Sequence, residues 1–226
     1  MNGRGINMKL GVITDIHNNY IALEAVLNKF KPENIDGVIC CGDILGIGPY
    51  PEETVQMVEA IPNLIAFVRG NHERYLVEGM PTEVPNSENM SYAEMEHHKW
   101  EHSLLSDDSK NFIAGLKDEE FLEINGKHIY VTHYPTLEYP GADIILFGHD
   151  HKGSVSNSYF NCGSLGCPHK SNNIARAGIL IIDDEYTFTE LNIEYDVAKV
   201  IAEIERLQYP DYGFILQIFY NVNKNM

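Results

Sequence analysis

Short apolar runs alternate with amphipathic stretches in the first third of the chain. The runs that predict strands are Leu10–Ile13, Gly37–Cys41 and Leu64–Val68. Between the first two runs, apolar residues recur on one helical face: Leu23, Val26, Leu27 and Phe30. Pro51, followed by two glutamates, is typical of the first turn of a second helix. This β-α-β-α-β order predicts parallel strands in a doubly wound α/β sheet.

The second half of the chain is richer in strand signals. The predicted strands are Glu120–Ile124, Lys127–Thr132, Ile144–Phe147, Arg176–Ile182 and Thr187–Asn192. Asn125-Gly126 between the first two is a strong hairpin signal. A closing helix is expected from about Asp196 to Leu207, because its apolar residues recur at helical spacing. We therefore expect an α/β fold in a four-layer α/β/β/α sandwich, with two mixed sheets packed face to face.

The alternation of strand and helix stops between Arg74 and Lys117. Two helices are expected there, one after the capping box Ser91–Glu94 and a shorter one from Ser106 to Gly115. We interpret residues 74–117 as a helical insertion beside the site, within a single domain that spans residues 1–226. Residues 1–7 precede the first strand pattern and are interpreted as an N-terminal extension.

The composition narrows the class of protein and its partners. The formal net charge is −17, which repels nucleic acid and anionic membranes, so we expect no nucleic-acid polymer and no membrane partner. No apolar run approaches the ~20 residues of a membrane span, and the chain starts without a signal-peptide pattern. Cys40, Cys41, Cys162 and Cys167 favour a reduced, cytoplasmic protein. A redox pair or zinc half-site at Cys162 and Cys167 is the alternative.

Residues of the types that bind metals in proteins stand directly after the apolar runs. Asp15, Asp43 and Asn71 each follow one of the first three strands. His133 and His149 follow the second and third strand runs of the second half. Because ligands at the carboxyl ends of parallel strands converge on one crevice, we expect these residues to form one site.

The residue types at these positions point to a specific chemistry. Together with His17 and His151 they offer carboxylate, amide and imidazole ligands, which suit manganese, iron(II) or zinc and need no thiolate. A carboxylate shared by two such ions holds them ~3.5–4 Å apart and activates a water between them. His72 is left over as a proton donor to a leaving group, with Glu73 beside it.

Five motifs occur in one order: Asp15-x-His17, Gly42-Asp43, Gly70-Asn71-His72-Glu73, His133 and Gly148-His149-Asp150-His151. In this order they resemble the calcineurin-like metallophosphoesterase superfamily. The segments GIGPYP (46–51) and NCGSLG (161–166) resemble its compact bacterial and archaeal phosphodiesterase branch. The resemblance implies that one metal is held by Asp15, His17, Asp43 and His151. It implies a second metal held by Asp43, Asn71, His133 and His149, with Asp43 bridging and His72 as catalytic acid or transition-state stabiliser.

The resemblance also implies an activity. It predicts a binuclear metal-dependent phosphoesterase, with manganese, iron or zinc, that hydrolyses a small phosphodiester or nucleotide-like substrate by a metal-bridging hydroxide. A phosphomonoesterase on the same site stays open, as does a non-catalytic binding scaffold on the same fold. The intact ligand set with His72 favours turnover over the scaffold, and the negative charge disfavours a nuclease.

Several residues near the motifs keep more than one interpretation. Asn18-Asn19 stands where the family often has glycine, which leaves the approach of substrate at this turn open. His98 and His102 are four residues apart on a helix and could bind a metal, but we expect them on the surface of the insertion.

The aromatic residues of the same helix have two interpretations. Trp100 is expected in the core between the insertion and the body of the domain. The alternative is that Trp100, Tyr92 or His97 faces the cleft and stacks on a nucleobase. Asn161, Gly163 and Ser164 are interpreted as part of the floor of the pocket.

Overall fold

The computed structural model describes residues 7–135, 141–167 and 173–222. Its strands are, in chain order, β1 (Met8–Ile13), β2 (Gly37–Cys40), β3 (Leu64–Phe67), β4 (Glu119–Ile124), β5 (Lys127–Thr132), β6 (Ile144–Leu146), β7 (Ser154–Val155), β8 (Tyr159–Asn161), β9 (Ile174–Ile182) and β10 (Tyr186–Glu194). Its helices are α1 (Tyr20–Glu33), α2 (Pro51–Glu59), α3 (Asn71–Val77), α4 (Tyr92–Leu104), α5 (Asp107–Ala114), α6 (Val197–Leu207) and α7 (Tyr212–Ile218). Residues 1–6 of the predicted N-terminal extension lie outside the described residues.

The strands form two mixed five-stranded sheets. The first has the order β10-β9-β1-β2-β3 and the second the order β4-β5-β6-β8-β7. β1, β2 and β3 pair in parallel, as the alternation of strand and helix predicted. β9 pairs antiparallel with β1, on the side of β1 opposite to β2. β4 and β5 form the predicted hairpin. The predicted α/β fold with two mixed sheets is confirmed.

Alternating side chains of β1 belong to two different apolar clusters. Leu10 and Val12 are buried in a cluster that includes Val131 and Leu146 of the second sheet. Ile13 is buried in a cluster with residues of α1 and α2. The first sheet therefore has helices on one face and the second sheet on the other. This arrangement brings the carboxyl ends of strands from both sheets close together.

A third apolar cluster joins the C-terminal helices α6 and α7 to α4. Trp100 of α4 stacks on Tyr209, with ring centroids 4.3 Å apart and planes 10° from parallel. Trp100 is partly buried and packs against this cluster, while Tyr92 is 63% exposed. Of the three residues in the alternative interpretation, His97 lines a cavity. The sequence patterns missed α3, α7 and the short strands β7 and β8. None of the described helices has the length and apolarity needed to cross a membrane.

Candidate functional site

The loops that follow β1, β2, β3, β5 and β6 meet in one place. The backbone N–H of Asp15 donates to Gly42 O at 2.9 Å, which ties the β1 loop to the β2 loop. The N–H of Gly148 donates to His133 O at 3.0 Å, which ties the two loops of the second sheet together. The structure thereby brings together every residue that the resemblance implied as a ligand: Asp15, His17, Asp43, Asn71, His133, His149 and His151.

Asp15, His17 and His151 form a first group of donors, with ligand atoms within 4.8 Å of one another. Asp15 Oδ1 lies 3.7 Å from His17 Nε2 and 3.6 Å from His151 Nε2. The two Nε2 atoms are only 2.9 Å apart. Asp15 and His17 are fully buried, so solvent does not screen these contacts.

Backbone carbonyls fix the orientation of three of the imidazoles. In each case Nδ1 lies within hydrogen-bond distance of a carbonyl oxygen: His17 with Leu45 (2.8 Å), His133 with Cys41 (2.8 Å) and His151 with Cys167 (3.0 Å). A carbonyl accepts only, so in the neutral ring the proton belongs on Nδ1 and Nε2 presents a lone pair to the site. Two such lone pairs at 2.9 Å repel each other unless a cation lies between them. The donor set therefore fits a divalent cation.

Asp43, Asn71, His133 and His149 form a second group beside the first. Asp43 Oδ2 lies 3.2 Å from His133 Nε2. Asn71 Oδ1 lies 3.3 Å from His133 Nε2 and 3.1 Å from His149 Nδ1. Asp43 also shares a donor group with His17 and His72, which places its carboxylate between the two sets. Oxygen and imidazole donors without a thiolate again suit manganese, iron(II) or zinc.

His72 lies beside these donors, and its ligand atom is within 4.8 Å of those of His17 and Asp43. Its Nε2 lies 3.9 Å from Asp43 Oδ2, and its ring centroid is 5.0 Å from that of His17. The ring fits because Gly46, at φ 87°, has no Cβ, and a Cβ there would overlap the imidazole. Burial lowers the pKa of His72 well below its usual range. A neutral ring donates one hydrogen bond, which suits the stabilisation of a leaving oxygen.

The carboxylates of the site are ionised at neutral pH. Burial alone would raise the pKa of Asp43, but the charge of His133 and its hydrogen bond to Asp43 outweigh it and hold this pKa well below its usual range. The same balance holds for Asp15, with His17, His133 and His151 as the favourable partners. Burial opposes charge on His133, but Asp43 raises the pKa of His133 to about 10. A cation bound here would displace that proton, so binding of metal would release protons.

Four of these residues have strained backbone. Asp15, His17, Asp43 and His149 have φ of 51°, 50°, 53° and 68°, in the left-handed region that L-residues avoid. Asn18 shares this conformation at φ 52°, which explains how it replaces the glycine often found there. Such strain costs about 1–3 kcal/mol per residue and clusters at functional sites.

Glu73 holds the backbone of the motif loops in place. Its buried carboxylate accepts hydrogen bonds from the N–H groups of Asp43 (2.8 Å), Leu45 (2.9 Å) and Gly70 (2.8 Å). Burial, together with repulsion from Asp43, raises the pKa of Glu73 to about 7. Glu73 therefore supports the loops and does not orient the ring of His72.

Replacing Glu73 with Ala should destabilise the metal-free protein strongly. The change leaves three buried N–H groups without an acceptor, and each costs about 1–3 kcal/mol, so we expect a loss of at least about 3 kcal/mol. Urea unfolding of the metal-stripped protein measures it. Glu78→Ala at the end of the same helix is the control, because that side chain is 55% exposed. Equal unfolding free energies for both variants would contradict this role of Glu73.

Two further residues hold the loops of the site in place, a role that the sequence did not predict for them. Asn161 donates to Gly148 O and Asp150 O, both at 2.9 Å, and so holds the last motif loop. Ser164 Oγ donates to Asp15 O at 2.8 Å. Both residues belong to the NCGSLG segment, from which we expected part of the pocket floor. In the structure their side chains instead hold the motif loops in place. Cys162 and Cys167 are buried, free thiols.

Glu101 is a fully buried carboxylate that α4 brings to the motif loops. Its Oε2 accepts from the backbone N–H of Gly46 at 3.0 Å and from Asn18 Nδ2 at 3.2 Å. His98 on the same helix is also fully buried, so the expectation that it lies on the surface was wrong. Its ring centroid is 5.0 Å from that of His72. The periodicity of α4 gave no signal for either position.

A cavity of about 580 Å³ opens beside His72 and His151. One wall is apolar, with Phe214, Ile215 and Phe219 of the C-terminal segment. The opposite wall belongs to α4 and the residues before it. The remaining lining residues are Ile47, Asn89, Ser91, Glu94, His97, His98 and Asp211. The volume lies within the range of pockets that hold a small organic ligand.

The chain is similar in sequence to two known proteins and similar in fold to a third. An uncharacterized protein of Methanocaldococcus jannaschii is 26% identical over 242 residues, covering 92% of this chain and 96% of that protein. A symmetrical bis(5'-nucleosyl)-tetraphosphatase of Erwinia tasmaniensis is 35% identical over 72 residues, 31% of this chain and 26% of that protein. The crystal structure of a metallophosphoesterase from Sphaerobacter thermophilus has the same fold, with a TM-score of 0.70 at 21% identity over 95% of this chain and 99% of that one.

The family is shown by a match over most of the chain. The model of the calcineurin-like phosphoesterase superfamily domain matches residues 8–185, which include all five motifs. The motif order, the two mixed sheets and the convergence of the donor residues agree with that match. The chain belongs to the calcineurin-like phosphoesterase superfamily.

Proposed function

We propose that this protein is a metal-dependent phosphoesterase that hydrolyses a small phosphodiester or nucleotide-like substrate at two divalent cations, manganese, iron or zinc. The observation that carries the proposal is the pair of adjacent donor groups with the Asp43 carboxylate between them. His72 and a cavity of suitable size lie directly beside these groups. The chain's family is consistent with this activity.

Each part of the site has a task in such a reaction. Bound cations would lower the pKa of a water and neutralise charge on the phosphoryl oxygens. Asp15, Asp43 and Asn71 supply the oxygen donors, and the backbone carbonyls keep the lone pairs of the histidines directed inward. The neutral ring of His72 would donate a hydrogen bond to the leaving oxygen and stabilise the charge that develops there.

The cavity supports a nucleoside-like group on the substrate. Phe214 and Phe219 offer aromatic faces on which a base can stack. Glu94 and Asp211 offer acceptors to hydroxyl or amino groups, and a second phosphate placed against them would be repelled. Both carboxyls are partly buried, and this burial raises their pKa. The short match to a bis(5'-nucleosyl)-tetraphosphatase is consistent with this class of substrate.

The proposal is tested by the metal dependence of turnover. Metal-stripped protein should be inactive and should regain activity with manganese. The substrates compared are bis-p-nitrophenyl phosphate, p-nitrophenyl phosphate and diadenosine tetraphosphate, and we expect faster hydrolysis of the first or third than of the second. Preference for p-nitrophenyl phosphate would instead identify a phosphomonoesterase. Absence of turnover with metals bound would identify a binding scaffold.

A further inference from the structure

The inner face of α4 carries a second cluster of metal-binding side chains. His98, Glu101 and His102 are spaced so that all three lie on one side of the helix. His98 and Glu101 are fully buried, and the His102 side chain is 15% exposed. Their ligand atoms lie within 4.8 Å of one another. This cluster is distinct from the two donor groups around Asp43.

Several polar atoms of this cluster lack a hydrogen-bond partner within the described part of the chain. They are both ring nitrogens of His98, Oε1 of Glu101 and Nε2 of His102. Buried polar atoms are normally paired, because an unpaired one loses its hydration without compensation. Four such atoms in one cluster point to a ligand that all three side chains share.

The carboxylate of Glu101 is held in an orientation that leaves one oxygen for such a ligand. Its Oε2 is engaged by the backbone N–H of Gly46 and by Asn18. Its Oε1 faces His102 Nε2 at 3.9 Å, and His98 Nδ1 lies 3.9 Å from Oε2. Ligand atoms of a tetrahedral zinc ion lie about 3.4 Å apart, since each bond is about 2.0–2.2 Å long, so atoms at 3.9 Å need to approach by roughly 0.5 Å. Small rotations of the side chains are therefore sufficient.

We propose that His98, Glu101 and His102 bind a zinc ion that fastens α4 to the motif loops. Two imidazoles and a carboxylate are an established zinc donor set, and a histidine pair four residues apart on a helix can chelate one ion. Burial lowers the pKa of His98 to about 4, and burial also lowers that of His102, so both rings are neutral and able to bind. Through Glu101, the ion connects to Gly46, which packs against His72.

This site does not depend on the proposed function. Its ligands are separate from those around Asp43, and its test counts ions rather than turnover. The full chain is stripped of metal, incubated with zinc chloride, freed of unbound zinc and analysed for zinc per chain. His102→Gln is the chosen variant, because the His102 side chain is the one of the three that is partly exposed.

We expect His102→Gln to bind one zinc fewer per chain than the unchanged protein. His128→Gln is the matched control and should bind the same number, because the His128 side chain is 62% exposed on the β4–β5 hairpin. Equal zinc content in His102→Gln and the unchanged protein would overturn the site. Anomalous diffraction from zinc-loaded crystals of the unchanged protein decides independently of the variant's folding. A peak among the three side chains supports the site, and its absence overturns it.

Discussion

Replacing Asp43 with Asn is expected to abolish nearly all phosphoesterase activity and to lower the bound metal. The Asp43 carboxylate is 2% exposed and lies between both donor groups. An amide brings an N–H₂ donor within reach of the lone pairs of His133, where a cation should be, and removes the negative charge. Since metal ions contribute several kcal/mol of charge stabilisation in such reactions, the loss in kcat should be about 10³-fold or more.

Asp150→Asn is the matched control for this variant. Asp150 lies between two of the expected ligands in the last motif, but its side chain is exposed and accepts a hydrogen bond from the backbone N–H of Lys152. The same chemical change there should leave activity and metal content close to those of the unchanged protein. Metal analysis and manganese-dependent hydrolysis of bis-p-nitrophenyl phosphate provide the measurements. Full activity in Asp43→Asn would show that its carboxylate does not bridge.

The position of the site was predictable because its residues follow strongly apolar strands. β1, β2 and β5 contain runs of buried residues that directly precede Asp15, Asp43 and His133. Such runs are the strongest local signal in a sequence, and the ends of parallel strands share one edge of the sheet. The order of the motifs supplied the rest. The roles of the individual residues stay predictions until variants are measured.

Short elements could not be predicted in the same way. α7 has seven residues, which is fewer than two full turns at 3.6 residues per turn, so no helical period can repeat. Its first residue follows Asp211, which has a left-handed φ of 67° rather than a usual N-cap conformation. β7 and β8 have two and three residues. These elements depend on packing and pairing with distant parts of the chain.

The burial of His98 was missed because α4 is covered on two sides. The apolar stripe predicted one inner face through His97 and Trp100, and His97 does contact Tyr209, with centroids 5.2 Å apart. His98 instead packs against Tyr75 of α3, also at 5.2 Å. A helix between two neighbours buries a wider face than a single stripe indicates. The backbone carbonyls that orient the histidines are likewise invisible to residue patterns.

Replacing His72 with Ala should reduce the rate by about 10²–10⁴-fold, the usual contribution of a positioned acid or base. We expect metal content to stay the same, because the residues proposed to hold each cation are all kept. The backbone N–H of residue 72 also still donates to Asp43 Oδ1, at 3.1 Å in the unchanged protein. The His72 ring is within 4.8 Å of donor atoms of His17 and Asp43, so a loss of metal would make it a ligand. The defect should depend on the leaving group. It should be smaller for bis-p-nitrophenyl phosphate, whose phenolate leaves without a proton, than for a diester with an alkoxide leaving group.

His128→Ala is the control here, since it removes an exposed imidazole far from the donor groups. Rates with both substrates and metal content are measured for each variant in parallel. An equal loss on both substrates would assign His72 to stabilising the phosphoryl group rather than the leaving oxygen. Unchanged turnover on both would remove His72 from the mechanism. The His72 ring occupies the space left by the missing side chain at Gly46. For this reason the rate and the metal content of each variant are measured on the same sample.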